Sequence, residues 1–310
     1  MKMKILLTGG SGMVGSNFLL HSFSEKYEIF SPTSKELNLL DYNKVENYIK
    51  LNNPDIIIHS AGVVGGINAN ILNPLKFMSE NMQMGINLIL ASRKQKIKKF
   101  INLGSSCMYP RTVKNPISEE SLLKGEFEPS NEGYALAKVT NSKLCQFINY
   151  EDQNYLYKTI IPCNLFGMYD KFDKNQSQMI PSAILKIHLA LKNNYKTVDI
   201  WGDGQARREF MFASDFVDFI YFSIDKLEIL PQNINIGLGF DLTVNEYYKI
   251  IANTLGYEGT LKNDLSKPSG INQKLVDISK LKKLGWHHKT SLQDGIIKTY
   301  DFFLNEVAND

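Results

Sequence analysis

The run Met-Lys-Ile-Leu-Leu-Thr-Gly-Gly-Ser-Gly-Met-Val-Gly at residues 3–15 limits the possible folds of this chain more than any other stretch. Its apolar start reads as a short buried strand, and the glycines turn that strand into a helix beginning near Met13. Gly10, Gly12 and Gly15 satisfy G-x-G-x-x-G spacing, while Gly9, Gly12 and Gly15 satisfy the G-x-x-G-x-x-G variant. Such glycines let backbone approach a diphosphate, which then rests on the unpaired N–H groups of the following helix. The expectation is an α/β fold, a Rossmann-type doubly wound parallel sheet. Gly9, Gly12, Met13, Val14 and Gly15 are its cofactor contacts.

A second strand reads over Tyr27–Phe30. Where an NAD enzyme places a carboxylate for the ribose 2′-OH, this chain has Ser31-Pro32-Thr33-Ser34-Lys35. Hydroxyls and a lysine suit a 2′-phosphate, so Ser34 and Lys35 point to NADP(H), with Glu36 close behind as the opposing feature. Asp41 reads either as a contact near the adenine or as a plain N-cap for a helix over 43–50. A third strand, Asp55–His59, enters the small residues 60–66, which place Ala61 beside a nicotinamide riboside; His59 reads as a satisfied core histidine. Pro74 opens a long helix to about Arg93 carrying Met78, Met82 and Met84, which read as core or as a helix–helix subunit contact.

Strand and helix alternate regularly to about residue 165. The expected domains are therefore a dinucleotide-binding Rossmann unit over 1–165, with return elements from about 210–240, and a smaller substrate-binding α/β unit, mainly over 166–310. The second region contains Trp201 and the adjacent Arg207 and Arg208 beside glycines. Two readings of the arginines stand: a grip on a diphosphate and base, or a loop salt bridge to Asp203 or Glu209.

The chemistry lies between these regions. Tyr134 and Lys138 are four apart, which puts them on one face of a helix. Upstream, Leu103-Gly104-Ser105-Ser106-Cys107-Met108-Tyr109-Pro110 breaks from an apolar run into hydroxyl residues at a strand's carboxyl end, where open α/β sheets bind ligands. A ketone held between a serine hydroxyl and an acidic phenol is polarised, and the phenol protonates the alkoxide. A nearby lysine and the helix N-terminus are expected to draw the phenol from about 10 toward neutral pH. Ser105, Tyr134 and Lys138 thus read as a reductive triad.

Composition closes off other classes. The chain has 310 residues, 43% of them hydrophobic, and a net charge of only +3, with no basic runs interleaved with aromatics. Nothing calls for nucleic acid or an anionic membrane. Three cysteines, at 107, 145 and 163, fit neither a disulfide framework nor a zinc site, so no metal is expected and the compartment reads as reducing. Only three apolar residues separate Lys4 from Thr8, too few for a signal peptide, and no apolar run spans a bilayer. A cytoplasmic protein is expected.

Across nearly its whole length the sequence resembles the GDP-L-fucose synthase family of extended short-chain dehydrogenases/reductases. The resemblance rests on Gly-Gly-Ser-Gly-Met-Val-Gly at 9–15, Glu-Leu-Asn-Leu-Leu-Asp at 36–41, Val-Gly-Gly-Ile at 64–67 and Leu-Gly-Ser-Ser-Cys-Met-Tyr-Pro at 103–110. It continues in Tyr134 to Lys138, Trp-Gly at 201–202, Arg-Glu-Phe at 208–210, Ser-Lys-Pro at 266–268 and Leu-Gly-Trp at 284–286. It implies an enzyme that takes a GDP-4-keto-6-deoxy sugar, epimerises C3 and C5, and reduces C4 with NADPH, as a homodimer through the two long helices. Carried over, Ser105, Tyr134 and Lys138 are the reductive residues and Cys107 is the epimerisation cysteine. Ser106, Asn164, Trp201, Arg208 and Lys274 fall on stretches that contact the nucleotide sugar. Gln178 is the departure, because the family has a catalytic histidine there. The preceding Gly-Met-Tyr-Asp-Lys-Phe at 167–172 also departs from the family's Gly-Pro-His-Asp-Asn-Phe. The expectation is an NADPH-dependent C4 reductase of a hexose or heptose with C3/C5 epimerisation lost or weak. The alternatives are the bifunctional synthase and a non-catalytic NADP-binding redox sensor. A sugar 4,6-dehydratase is disfavoured, since Ser106-Cys107 stands where that class carries Asp-Glu.

Overall fold

The computed structural model describes residues 2–173, 177–267 and 271–308. The chain runs β1 (Met3–Thr8), α1 (Met13–Leu20), β2 (Tyr27–Phe30), α2 (Tyr42–Asn52), β3 (Ile56–His59), α3 (Ile67–Leu72), α4 (Pro74–Lys94), β4 (Lys99–Leu103), α5 (Glu132–Glu151) and β5 (Leu156–Pro162). It continues β6 (Asn164–Phe166), α6 (Met179–Lys192), β7 (Thr197–Trp201), β8 (Arg207–Arg208), β9 (Phe210–Phe212), α7 (Ala213–Ile224) and β10 (Asn233–Ile236). The last elements are β11 (Leu242–Thr243), α8 (Val244–Leu255), β12 (Thr260–Asp264), β13 (Gln273–Lys274), α9 (Ser279–Lys283) and α10 (Leu292–Glu306).

Six strands form one parallel sheet in the order β10-β5-β4-β3-β1-β2. The order reverses between β1 and β3, the switch-point arrangement of a doubly wound fold, which the opening glycine turn predicted. Leu6, Ile57, Phe100 and Tyr157 are register partners in a row across four strands. They turn to one face, where α2, α4 and α5 close a core with Val45, Ile49, Leu88 and Ile148. The alternate residues Ile5, Leu7, Ile56, Ile58 and Ile101 turn to the other face and meet Phe18 of α1 and Phe216, Phe219 and Ile220 of α7. A third core, under α6, α8 and α10, joins Ile184, Ile187, Tyr247, Ile251 and Ile296 to Phe166 and Phe212. No linker intervenes: β6 pairs with β9, and Tyr221 Oη donates to the Phe18 carbonyl at 2.8 Å.

Two residues beyond the Leu6 row, on the same face, the register row is polar. Thr8, His59, Asn102 and Thr159 are partners across the same four strands, and all are buried. Thr8 Oγ1 meets His59 Nδ1 at 2.9 Å, and burial, aided by Lys138, lowers His59 to about 3, so the ring is neutral. This satisfied core histidine matches the sequence reading. The methionine stripe of α4 is only partly core: Met84 packs against the core under α2, α4 and α5, Met82 is half-buried, and Met78 is exposed. Among the described residues no helix is long and apolar enough to cross a membrane, no group of His, Cys, Asp and Glu could hold a metal ion, and the three cysteines are free.

Candidate active site

The carboxyl end of β4 breaks at Gly104 into a single tight helical turn over Ser106–Met108. Ser105 caps that turn, its Oγ accepting from the Cys107 N–H at 3.2 Å. Opposite lies α5. Its residues Asn131 (the N-cap), Tyr134 and Lys138 form one stripe, because steps of three and four return to the same helix face. Lys138 is buried, and its Nζ donates to the Leu103 carbonyl at 2.9 Å. The Ser105 hydroxyl faces the Tyr134 phenol closely enough to favour its phenolate. Asn131 Nδ2 donates to Cys107 Sγ at 3.3 Å. The structure therefore brings Ser105, Cys107, Tyr134 and Lys138 together at the sheet's carboxyl edge.

The electrostatics differ from the expectation for the phenol. Burial pushes Tyr134 above its ordinary range, Cys107 adds to the rise, and the Ser105 hydroxyl only partly opposes it. Lys138 does not offset that burial. Its ammonium lies 5.7 Å from the Tyr134 ring centroid, bonded to a carbonyl, and burial lowers Lys138 itself to about 8. In this arrangement Tyr134 is an acid that holds its proton at neutral pH.

The two arginines of β8 divide by strand alternation. Arg207 Nε pairs with Asp241 at 2.7 Å, which places the expected salt bridge on Asp241 rather than on Asp203 or Glu209. Arg208 points the other way. It is the register partner of Lys274 on the parallel neighbour β13, so two cations share one face of this small sheet. Arg208 lies within electrostatic range of Cys107 and Glu128, and burial lowers its guanidinium, which donates to the Arg207 carbonyl. Asn164, at the start of β6, donates to the Glu209 carbonyl at 2.9 Å and so ties β6 to the residue between β8 and β9.

Not every expected residue joins this cluster. Ser106 lies in the tight turn between Ser105 and Cys107 and is 3% exposed. Gln178 is exposed at the N-cap of α6 without a side-chain capping bond. Trp201 ends β7 at 40% exposure, with the Lys186 and Lys267 ammonium groups 5.4 and 5.6 Å from its ring. Residues 174–176 of the loop before Gln178, and Pro268 of the Ser-Lys-Pro stretch, lie outside the described residues.

The glycine turn fits a dinucleotide. Gly9 has φ +79°, and a Cβ there would lie 2.6 Å from Ala61 backbone; a Cβ on Gly15 would lie 2.2 Å from the Gly9 carbonyl oxygen. Gly12 caps α1 without a side-chain bond, which leaves the first N–H groups of α1, including those of Met13 and Val14, free for a diphosphate. Glu36 turns its carboxylate onto the Thr33 N–H and hydroxyl at 2.7 and 2.9 Å, away from a ribose-binding role. Ser34 and Lys35 are exposed on that turn. Asp41 caps α2, accepting from the Lys44 N–H at 3.2 Å.

Three participants were not singled out in the sequence. Ser31 Oγ is buried without a partner at the end of β2, where a Cβ on Gly10 would collide with it. Asn81 of α4 clamps the small-residue loop after β3, accepting from Val63 N–H at 2.8 Å and donating to its carbonyl at 3.0 Å. Asn131 forgoes its own helix cap and leaves Oδ1 buried and unpaired. A lost cap costs about 0.5–2 kcal/mol and an unpaired buried acceptor about 1–3 kcal/mol. Only the position after β2 carried a sequence signal, since that is where a ribose contact belongs.

Residues 5–237 match the NAD dependent epimerase/dehydratase family. GDP-L-colitose synthase of Yersinia pseudotuberculosis is 55% identical over 99% of this chain and 100% of its own. GDP-L-fucose synthase of Azorhizobium caulinodans is 45% identical over 98% of each. A GDP-mannoheptose C4 reductase from Campylobacter jejuni with NADP bound superposes with a TM-score of 0.88 at 28% identity, over 98% of this chain and 99% of that one.

Proposed function

This chain belongs to the NAD dependent epimerase/dehydratase family, and from that premise we propose that it is an NADPH-dependent reductase of the C4 ketone of a GDP-4-keto-6-deoxy sugar. The observation that carries this reading is Ser105, Tyr134 and Lys138 gathered at the carboxyl end of β4, with Arg208 within electrostatic range of Cys107 and Lys274 as its register partner. NADPH, when bound, supplies the hydride. Ser105 holds and polarises the C4 oxygen. Tyr134, protonated at neutral pH, hands its proton to that oxygen, and the Lys138 cation stabilises the phenolate left behind. Arg208 and Lys274 meet the charge of the diphosphate.

The finer reading is that C3/C5 epimerisation is lost or weak. Inversion beside a ketone needs a base on one face and an acid on the other; Cys107 supplies one thiol, but the carboxamide of Gln178 does not titrate near neutral pH. A cytoplasmic homodimer through α4 and α5, supplying a hexose or heptose for surface polysaccharide, completes the proposal. The relatives named GDP-L-fucose synthase and GDP-L-colitose synthase favour a second reading, a bifunctional epimerase/reductase. A redox sensor is disfavoured by the intact Tyr134–Lys138 pair.

The test is NADPH oxidation with a panel of GDP-4-keto-6-deoxy sugars in D₂O, with the product read by NMR. Expected are turnover, a changed C4, and no solvent deuterium at C3 or C5. Cofactor binding without consumption overturns the reductase reading, whereas full deuterium incorporation with inversion establishes the bifunctional one.

A further inference from the structure

Three links join the α5 stripe to the segment that leaves β4, and they run in order. Lys138 reaches Leu103, Tyr134 reaches Ser105, and Asn131 reaches Cys107. The first two belong to the reductive chemistry. The third has no such account, and it is held against local preference. An N-cap asparagine ordinarily turns its side chain onto the N–H groups of its own helix. Asn131 makes no such bond, aims Nδ2 at a sulfur 3.3 Å away, and leaves Oδ1 buried with no partner. Its target is coupled to the site through backbone, because the Cys107 N–H donates to Ser105 Oγ at 3.2 Å and thereby occupies one lone pair of the hydroxyl that meets Tyr134.

We propose that Asn131 is a positioning residue for reduction, acting through Cys107 as a hydrogen-bond acceptor. Asn131 closes the open end of the ladder. It fixes the sulfur, the sulfur fixes the tight turn over 106–108, and the turn fixes the direction of the Ser105 hydroxyl relative to Tyr134. In this role the thiol serves by its lone pair and not by its proton, which accounts for a cysteine in a chain where a glutamine stands in place of the second acid–base group. The inference rests on the C4-reductase reading for its kinetic test, and on geometry alone for a second test without substrate.

The decisive variant is Asn131→Ser. Serine is a good N-cap and its side chain is too short to reach the sulfur, so the helix is capped while the ladder is opened. Expected is a kcat lower by about ten- to hundredfold, the scale of misplacing a catalytic group. KM, NADPH affinity and Tm hold, or Tm rises. A purely structural asparagine would show the reverse, a lower Tm with kcat intact, and that result overturns the proposal. Cys107→Ala should reproduce the kcat loss, Cys107→Ser should recover part of it because a hydroxyl also accepts from Nδ2, and the Asn131→Ser/Cys107→Ala double variant should lose no more than either single one. Additive losses, or Cys107→Ser no better than Cys107→Ala, also overturn it. If the wild type turns over none of the sugars, the functional reading fails and the second test decides. Cys145 and Cys163 are fully buried, so iodoacetamide on the native protein reports Cys107. Its rate in Asn131→Ser should change by about threefold or more, the scale of one lost hydrogen bond; an unchanged rate shows that the asparagine does not hold the sulfur.

Discussion

Tyr134 enters the reaction as an acid because burial, not the neighbouring lysine, governs it. Tyr134→Phe should therefore keep NADPH affinity and lose about 10²–10⁴-fold in turnover, the contribution of a positioned proton donor. Reduction near the wild-type rate would require another donor. Lys138 adds a pH limit. Burial lowers it to about 8, so the cation that stabilises the phenolate is present below that pH and absent above it. The kcat for reduction should fall as pH rises through about 8; a flat profile there would separate the lysine charge from proton transfer. At this scale the spacing of Tyr134 and Lys138 was legible because both sit on one helix and need no partner to define them. Asn131 and Ser31 were not legible, since each acquires meaning only from a residue more than twenty positions away that the fold brings against it.

Elements whose burial follows a simple period were the readable ones. Strands β1, β3, β4 and β5 are largely apolar runs covered on both faces, and their register rows explain why continuous hydrophobicity, rather than alternation, marks them. Asp41 shows the opposite case, a carboxylate whose sequence context suits a ligand or a cap equally. The cap is what its geometry supplies, so Asp41→Ala should cost about 1 kcal/mol in urea unfolding and Asp41→Asn much less; no loss on truncation would remove the cap from α2's stability. The methionine stripe of α4 read as core or as a subunit contact because a packed neighbour helix and a packed second subunit demand the same residues, and only Met84 of it packs on the core. Met78, Leu90, Phe147 and Tyr150 remain exposed on the paired helices α4 and α5. Light scattering should find a dimer, and Phe147→Asp should give a monomer; a wild-type monomer would leave that apolar face without its proposed cover.

At the scale of the molecule, one carboxylate, Glu209 of the Arg-Glu-Phe motif, ties the parallel sheet to the C-terminal elements, a role its sequence context did not announce. Glu209 sits between Arg208 and β9, fully buried. Its Oε1 accepts from the N–H groups of Leu238 and Gly239, just beyond β10, and its Oε2 accepts from Val276 N–H, just beyond β13, at 3.2 Å. The side chain thus holds together the outer strand of the large sheet and the small sheet that presents Arg208 and Lys274. Burial outweighs these three donors and raises Glu209 to about 7 from the ordinary 4.5. The sign follows directly. Below about 4.5 the folded and unfolded carboxyls are both protonated and the contribution is complete, whereas between 4.5 and about 7 only the folded form keeps its proton, so stability falls as pH rises across that window. The full effect is on the order of 3 kcal/mol. Asp170, also raised to about 7 by burial, acts with the same sign, so the wild-type slope is shared between the two. Glu209→Gln keeps the shape and abolishes the titration, at the cost of turning an amide N–H against a backbone donor. Urea unfolding measured at intervals from pH 4.5 to 7 should therefore show a less stable variant with a distinctly shallower loss of stability. An unchanged slope would assign the pH dependence to Asp170 and leave Glu209 ionised in the folded protein, held by its three N–H donors.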